Sequence, residues 1–310
     1  MKANTKFILC VCANPSVDTF VYIDNFLTGK VNRAHQEQHF PGGKGVHVAL
    51  AVAELGVPVK LLGFWAGPTG TWIKEQCQAR GIECLGPTVK GWTRFCLTLR
   101  SSGNYNETEL LGCGPEIGSK DNQSFFDMLR REAQQADCVS LSGSWPPSTE
   151  PNSYLDAFEI VQGFGVKTFI DLTGPAVDGI IPQEPYFIHM NHNESKACLS
   201  ESDPSKAART LSQNCAFAVV TKGEEGAYVA HKEELIHLSC PVETALSSVG
   251  SGDCFLAGFM VGYNLNQTWR EAAWLATAAG AANCLRPELG MLYKKDIDRL
   301  LSQVQEEIIR

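Results

Sequence analysis

Short apolar runs rich in β-branched residues alternate with stretches of helical period along most of the chain, and this alternation narrows the possible folds more than any other feature. Strand candidates lie at 7–13, 60–64, 138–142, 167–171, 217–221 and 227–230. Helix candidates lie at 45–55, 69–80, 122–135, 151–162, 204–213, 252–263, 270–284 and 294–309. Several ends are punctuated: Gly56 and Gly81 stand just past helices, and Asp203-Pro204 reads as an N-cap with proline at the first helical position. Apolar strands separated by helices need cover on both faces. The expected architecture is therefore α/β, with a mainly parallel central sheet between two helical layers.

Two segments break this rhythm. Residues 19–40 and 91–111 read as strand and turn, as in Arg94-Phe95-Cys96-Leu97-Thr98-Leu99, and pair either into a small sheet projecting from the body or into two edge hairpins. A projecting sheet would serve as a lid or a dimer contact. With no repeat, charge block or linker to mark a boundary, the 310 residues are expected to form one domain, 1–310, carrying that lid.

Twenty-six basic against thirty-four acidic side chains leave a net charge of -8, which argues against a nucleic-acid binder. Any anionic ligand must meet a local cluster of cations. The twelve cysteines include no C-x-x-C, so neither a zinc ribbon nor a thioredoxin-type site is expected, and they read as reduced thiols of a cytoplasmic protein. The run from Phe7 to Cys12 stops at Asn14-Pro15 without a cleavage motif and reads as a first buried strand. The longest uncharged stretches, 254–269 and 272–285, are too short for a membrane span, so no membrane partner is expected.

Two glycine clusters carry the chemistry. In Val249-Gly250-Ser251-Gly252-Asp253 small residues lead into an apolar helical stretch, so free backbone amides can converge on an anion while Asp253 takes a proton from a nearby hydroxyl. A tight turn with an aspartate in the first helical turn fits the same residues. In Pro41-Gly42-Gly43-Lys44-Gly45-Val46-His47 the glycines also open a helix, and Lys44 and His47 suit a polyhydroxylated or phosphorylated ligand. The Walker A pattern is not met, and a plain helix start remains the alternative.

In this order the two clusters resemble the two signatures of the ribokinase/PfkB carbohydrate kinases, over nearly the whole chain. Asn14-Pro15-Ser16-Val17-Asp18, Gly29-Lys30-Val31-Asn32-Arg33, Thr93-Arg94, Thr108-Glu109, Ser142-Gly143-Ser144-Trp145-Pro146 and Asp171-Leu172-Thr173-Gly174 are similar to the phosphohexose branch of that family. The resemblance implies a ribokinase-like three-layer α/β/α fold with a small β lid. It also implies an enzyme that uses ATP and Mg²⁺ to phosphorylate a phosphorylated ketohexose: fructose 1-phosphate first, then tagatose 6-phosphate or fructose 6-phosphate.

The resemblance gives roles to residues. Asp253 would be the base, with Gly250, Ser251 and Gly252 as the anion hole. Asp18, Gly42, Gly43 and His47 would hold sugar hydroxyls. Lys30, Arg33, Lys44, Arg94, Ser142 and Gly143 fall at or near positions that meet the substrate's own phosphate. Asn191-His192-Asn193-Glu194 matches the motif that acts on Mg²⁺ through water, implicating Asn191 and Glu194. Thr221, Lys222, Gly223 and Gly226 would line the nucleotide, with Gly280 and Asn283 flanking adenine. A homodimer through the lid is likewise implied.

Three departures from the family pattern bear on activity. His47 replaces an asparagine, His189-Met190 replaces Lys-Pro, and Ser251 replaces an alanine. The first bears on sugar selectivity, the second points to lower turnover or altered nucleotide preference, and the third adds a hydroxyl while leaving the backbone donors in place. Two rival readings follow: a sugar-phosphate sensor on the same scaffold, and a kinase for an unphosphorylated sugar. Against the latter, Arg33 and Arg94 would face a neutral ligand with their charge unanswered.

Overall fold

In the computed structural model, which describes residues 6–150, 152–174 and 176–309, the first strand, Ile8–Val11, lies inside a ten-stranded sheet, third from one edge. The chain builds outward on one side through Val59–Leu62 to Glu83–Leu85. It then crosses to Cys138–Gly143 and continues through Lys167–Leu172, Phe187–Asn191 and Phe217–Thr221, all parallel. Ala227–His231, Glu234–Ser239 and Gln305–Ile308 extend that edge antiparallel. The winding changes direction at the carboxyl ends of Ile8–Val11 and Cys138–Gly143, the position at which open α/β sheets form a crevice for a ligand.

Alternation along the first strand sorts its side chains into two cores. Ile8, Cys10 and Cys12 pack with the helices Lys44–Glu54, Ser251–Asn264 and Trp269–Cys284. Leu9, Val11 and Ala13 pack on the opposite face, with Phe125 and Leu129 of the Ser119–Ala133 helix and Phe158 of the Ser153–Gly163 helix. Buried side chains of this size stabilise by about 1.5–3 kcal/mol each, so the platform beneath the crevice is held firmly. Helices Ser251–Asn264 and Trp269–Cys284 approach closely because Gly258 has no side chain: a Cβ there would lie 2.7 Å from the Ala276 Cα.

The strands expected at 19–40 and 91–111 form a separate four-stranded sheet in the order Gln36–Gly42, Ser16–Ile23, Arg94–Ser101, Thr108–Leu111. Its residues Phe95, Leu110 and Leu111 are exposed. One expected element is corrected. The helix read at 294–309 ends at Leu301, and Gln305–Ile308 is instead an edge strand on Glu234–Ser239. Glu306 supplies the tertiary reason, accepting hydrogen bonds from Arg270 and from Trp274 Nε1.

Candidate active site

The turn expected to form an anion hole begins with Gly250, whose φ of 85° is a left-handed conformation that favours glycine and whose missing side chain leaves room for Gly290. The Ser251 amide donates to the Ser248 carbonyl and that of Cys254 to the Gly250 carbonyl. The amides of Gly252 and Asp253 between them take no hydrogen bond among the described residues, and no side chain caps this helix. Two orphan donors at the positive end of a fourteen-residue helix suit an incoming phosphoryl group. The Ser251 hydroxyl turns back to the Ser248 carbonyl at 2.8 Å, so it braces the loop.

Asp253 lies in the first turn, buried but joined to the diglycine turn. Its Oδ2 is 2.8 Å from His47 Nδ1, and His47 Nε2 is 3.4 Å from Asp18 Oδ2. Asp18 also accepts from the Ser16 hydroxyl at 2.6 Å. Gly42 seats this carboxylate, since a Cβ there would lie 2.1 Å from Asp18 Cγ. Burial opposes charge on His47, but Asp18 and Asp253 more than offset it and raise its pKa to about 10. Burial pushes Asp253 upward, with His47 opposing.

Lys44 is held between two carboxylates. Its Nζ donates to Asp171 Oδ1 at 2.7 Å and to Glu194 Oε1 at 2.9 Å. Burial disfavours the ammonium, yet Asp171 and Glu194 prevail and hold its proton far above the usual lysine range. Burial also disfavours charge on Asp171, but Lys44 and His189 hold that carboxyl far below the usual range. His189 Nε2 meets Thr221 Oγ1 at 3.1 Å, and its ring lies directly under Gly252, where a Cβ would be 2.7 Å from Cε1. Asn191 caps the His192–Leu199 helix, its Oδ1 accepting from the Glu194 amide while Glu194 Oε2 accepts from the Asn191 amide.

The remaining expected residues fall around this centre. Arg94 donates from Nε and Nη2 to the Asn14 carbonyl and from Nη1 to the Gly112 carbonyl, which fixes it at the lid's root. Ser142 is buried with its hydroxyl unpartnered, and Gly143 faces the Lys44 stem. Lys30 and Arg33 lie on the exposed loop between two lid strands, without an ion pair among the described residues. Lys222 pairs with Glu225 in a tight turn from Gly223 to Gly226, closed by the Lys222 amide donating to the Gly226 carbonyl. Gly280 packs against the Ser251 carbonyl, while buried Asn283 donates to the Val249 carbonyl and so supports the hole from behind.

Sequence reasoning missed three contributors. Asp171 is marked by the Asp171-Leu172-Thr173-Gly174 match but is given no role by it, and nothing in the sequence announces its pairing with Lys44. Gly290 and Arg100 had no signal. Arg100, over the Phe20 ring, reaches from the lid to the Ser247 hydroxyl in the loop before the hole.

Free helix-terminal amides beside a carboxylate, near the switch point of a parallel α/β sheet, have the form of a phosphotransferase site. Comparison with known proteins agrees: the model of the pfkB family carbohydrate kinases matches residues 11–294, and the chain belongs to that family. It is 29% identical over 305 residues to the 1-phosphofructokinase of Bacillus subtilis, covering 96% of this chain and 98% of that protein. It is 29% identical over 307 residues to a tagatose-6-phosphate kinase of Staphylococcus epidermidis, with the same coverage. The crystal structure of phosphofructokinase-2 from Escherichia coli in complex with fructose-6-phosphate superposes with a TM-score of 0.84 at 20% identity, covering 96% of this chain and 98% of that one, a likeness of fold.

Proposed function

We propose that the protein transfers the terminal phosphoryl group of ATP to a hydroxyl of a phosphorylated ketohexose, with fructose 1-phosphate the first candidate and tagatose 6-phosphate and fructose 6-phosphate next. The observation that carries this reading is the orphan amide pair of Gly252 and Asp253 beside a carboxylate linked through His47 to Asp18. Asp18 holds sugar hydroxyls. Asp253 Oδ1, which makes no hydrogen bond among the described residues, takes the acceptor proton as the hydroxyl oxygen bonds to phosphorus. The two amides meet charge building on the migrating group. Arg94, with two N–H groups beyond the three engaged, and the exposed Lys30 and Arg33 supply cations for the sugar's phosphate.

The site also suits Mg²⁺ held through water. No group of three or more His, Cys, Asp or Glu among the described residues forms a metal cage, while Glu194 and Asn191 offer hard oxygen donors at the nucleotide side. Such a set fits a cation that keeps its water shell and is bound mainly by phosphates. When bound, the ion neutralises charge on the nucleotide's phosphates. The exposed apolar residues of the lid, Phe95, Leu110 and Leu111, support a homodimer through that sheet, and the twelve free cysteines support a cytoplasmic setting.

Coupled ADP release over a panel of ketohexose phosphates and their unphosphorylated parents tests the reading. Turnover is expected with at least one phosphosugar and to be much weaker with every parent sugar. Phosphosugar binding without ADP release would instead establish a sensor, and preference for a parent sugar would overturn the substrate class.

A further inference from the structure

The line Asp18, His47, Asp253 carries an inference that rests on the kinase reading. We infer that His47 is the positioning residue of the base: its imidazole fixes one oxygen of Asp253 and supplies the positive charge beside it, leaving the other oxygen for the acceptor hydroxyl. His47 comes from the helix after the diglycine turn and Asp253 from a helix late in the chain, yet Nδ1 and Oδ2 are 2.8 Å apart. The ring cannot retreat. A Cβ on Gly290 would lie 2.3 Å from His47 Cβ and 2.4 Å from Cγ, so backbone presses the imidazole from behind. Nε2 is buried with no hydrogen bond, facing Asp18 at 3.4 Å.

A need for this charge follows from where the base sits. Asp253 is 6% exposed, and a carboxylate so deep in the protein takes up a proton unless a cation answers it. A protonated base accepts nothing from the sugar. Asp171 pushes in the same unfavourable direction, and Lys44 opposes it from farther off, engaged with Asp171 and Glu194. His47 is the cation in direct contact.

The charged groups around the ring are few. The Ser16–Ile23 strand brings Asp18, the Ser251–Asn264 helix brings Asp253, and the ring's own helix brings Lys44. The loop that holds Gly290 carries Arg286, tied to Asp296, and Glu288, and neither forms an ion pair with the ring among the described residues. With a carboxylate on each side the imidazole stays protonated throughout turnover. The acceptor O–H bond breaks, its proton passes to Asp253 Oδ1, an electron pair of the oxygen forms the new O–P bond, and the old P–O bond breaks with its electron pair leaving on the ADP oxygen. His47 neither gains nor loses a proton in this step. It keeps Asp253 able to accept one.

The test uses the full chain. Wild-type turnover is measured first on the phosphosugar panel; failure there sinks the kinase reading and leaves the pairing to the second measurement. His47→Asn retains an amide donor without charge, and His47→Ala removes both. In His47→Asn the acid limb of the kcat–pH profile is expected to move up by about 1–3 pH units, since an opposite charge at this range shifts a carboxyl by that amount. Turnover above the limb is expected to recover more fully in His47→Asn than in His47→Ala. A limb left at the wild-type pH, with turnover lowered evenly, would show packing alone and overturn the inference. The second measurement needs no substrate and no His47 variant: ring-nitrogen NMR across the seven histidines of the wild type and Asp253→Asn. One ring should remain cationic beyond pH 8 and titrate about 1–3 units lower in Asp253→Asn. No histidine titrating that high would also overturn it.

Discussion

Replacing Gly42 by alanine isolates the sugar end of the site. The added methyl would sit 2.1 Å from Asp18 Cγ and 2.3 Å from each carboxylate oxygen, so the carboxylate must rotate away. Gly42 is not among the residues with positive φ, and alanine therefore adds no backbone strain. Rotation breaks the 2.6 Å bond from the Ser16 hydroxyl, a hydrogen bond to a charged group worth about 1.5–3 kcal/mol. It also withdraws Asp18 from the sugar. Losing one charge-assisted hydrogen bond of similar size there lowers kcat/KM for the phosphosugar about 10- to 150-fold, while the KM for ATP stays within about twofold. The assay is steady-state kinetics with each substrate varied in turn, beside thermal melts. Gly163→Ala, with nothing within 4 Å of its Cβ, is the control for a helix-terminal glycine away from the site. Unchanged sugar kinetics in Gly42→Ala, at an unchanged Tm, would refute the seating of Asp18 on Gly42.

Asp253→Asn is expected to lower kcat by about 10²–10⁴ with little change in phosphosugar affinity; turnover within tenfold of wild type would remove Asp253 as the base. Arg94→Ala is expected to weaken the phosphosugar more than its unphosphorylated parent, and equal weakening would leave Arg94 as a brace between the Asn14 and Gly112 carbonyls. Stability should also depend on pH through His47. Its folded pKa, about 10, stands above its ordinary 6.5, so its contribution is complete below about 6.5 and is lost as pH rises toward 10. The wild-type Tm should therefore fall relative to that of His47→Asn across that window, and parallel curves would contradict the assignment. Asp171, held below its ordinary 3.8, contributes above that value and loses its contribution as pH falls.

What could be read from sequence was local. Gly250 to Asp253 writes its own helix start, because small residues before an apolar stretch leave free amides wherever the helix lies. The alternation at 94–99 foretold a lid strand for the same reason. Roles within the site came from resemblance, since the residues alone left a tight turn and an anion hole equally open. The link from His47 to Asp253 spans 206 positions and no spacing encodes it. Lys44 illustrates the same gap: a cation beside two glycines suits a sugar phosphate, but its pairings with Asp171 and Glu194 span 127 and 150 positions and no local pattern announces them. At 294–309 a polar, charged stretch suited a helix, and only the edge of Glu234–Ser239, with Arg270 and Trp274 beside it, selects a strand.

The way the small sheet is tethered has a mechanical corollary. Two of its four tethers are short: Ser16–Ile23 follows the strand Ile8–Val11 through Cys12 to Pro15, and Gln36–Gly42 empties through Gly43 into the helix that carries His47. Both tethers run beside Asp18, and the platform ahead of and behind them is tightly packed. Two further tethers, at 90–93 and 112–118, join the sheet to the body, so a tilt of that sheet is shared among all four, and the first two carry their part of it past Asp18. Two of the flap's four hinges thus border the carboxylate proposed to hold the sugar, and a load on the flap's outer face would reach Asp18 without a relay.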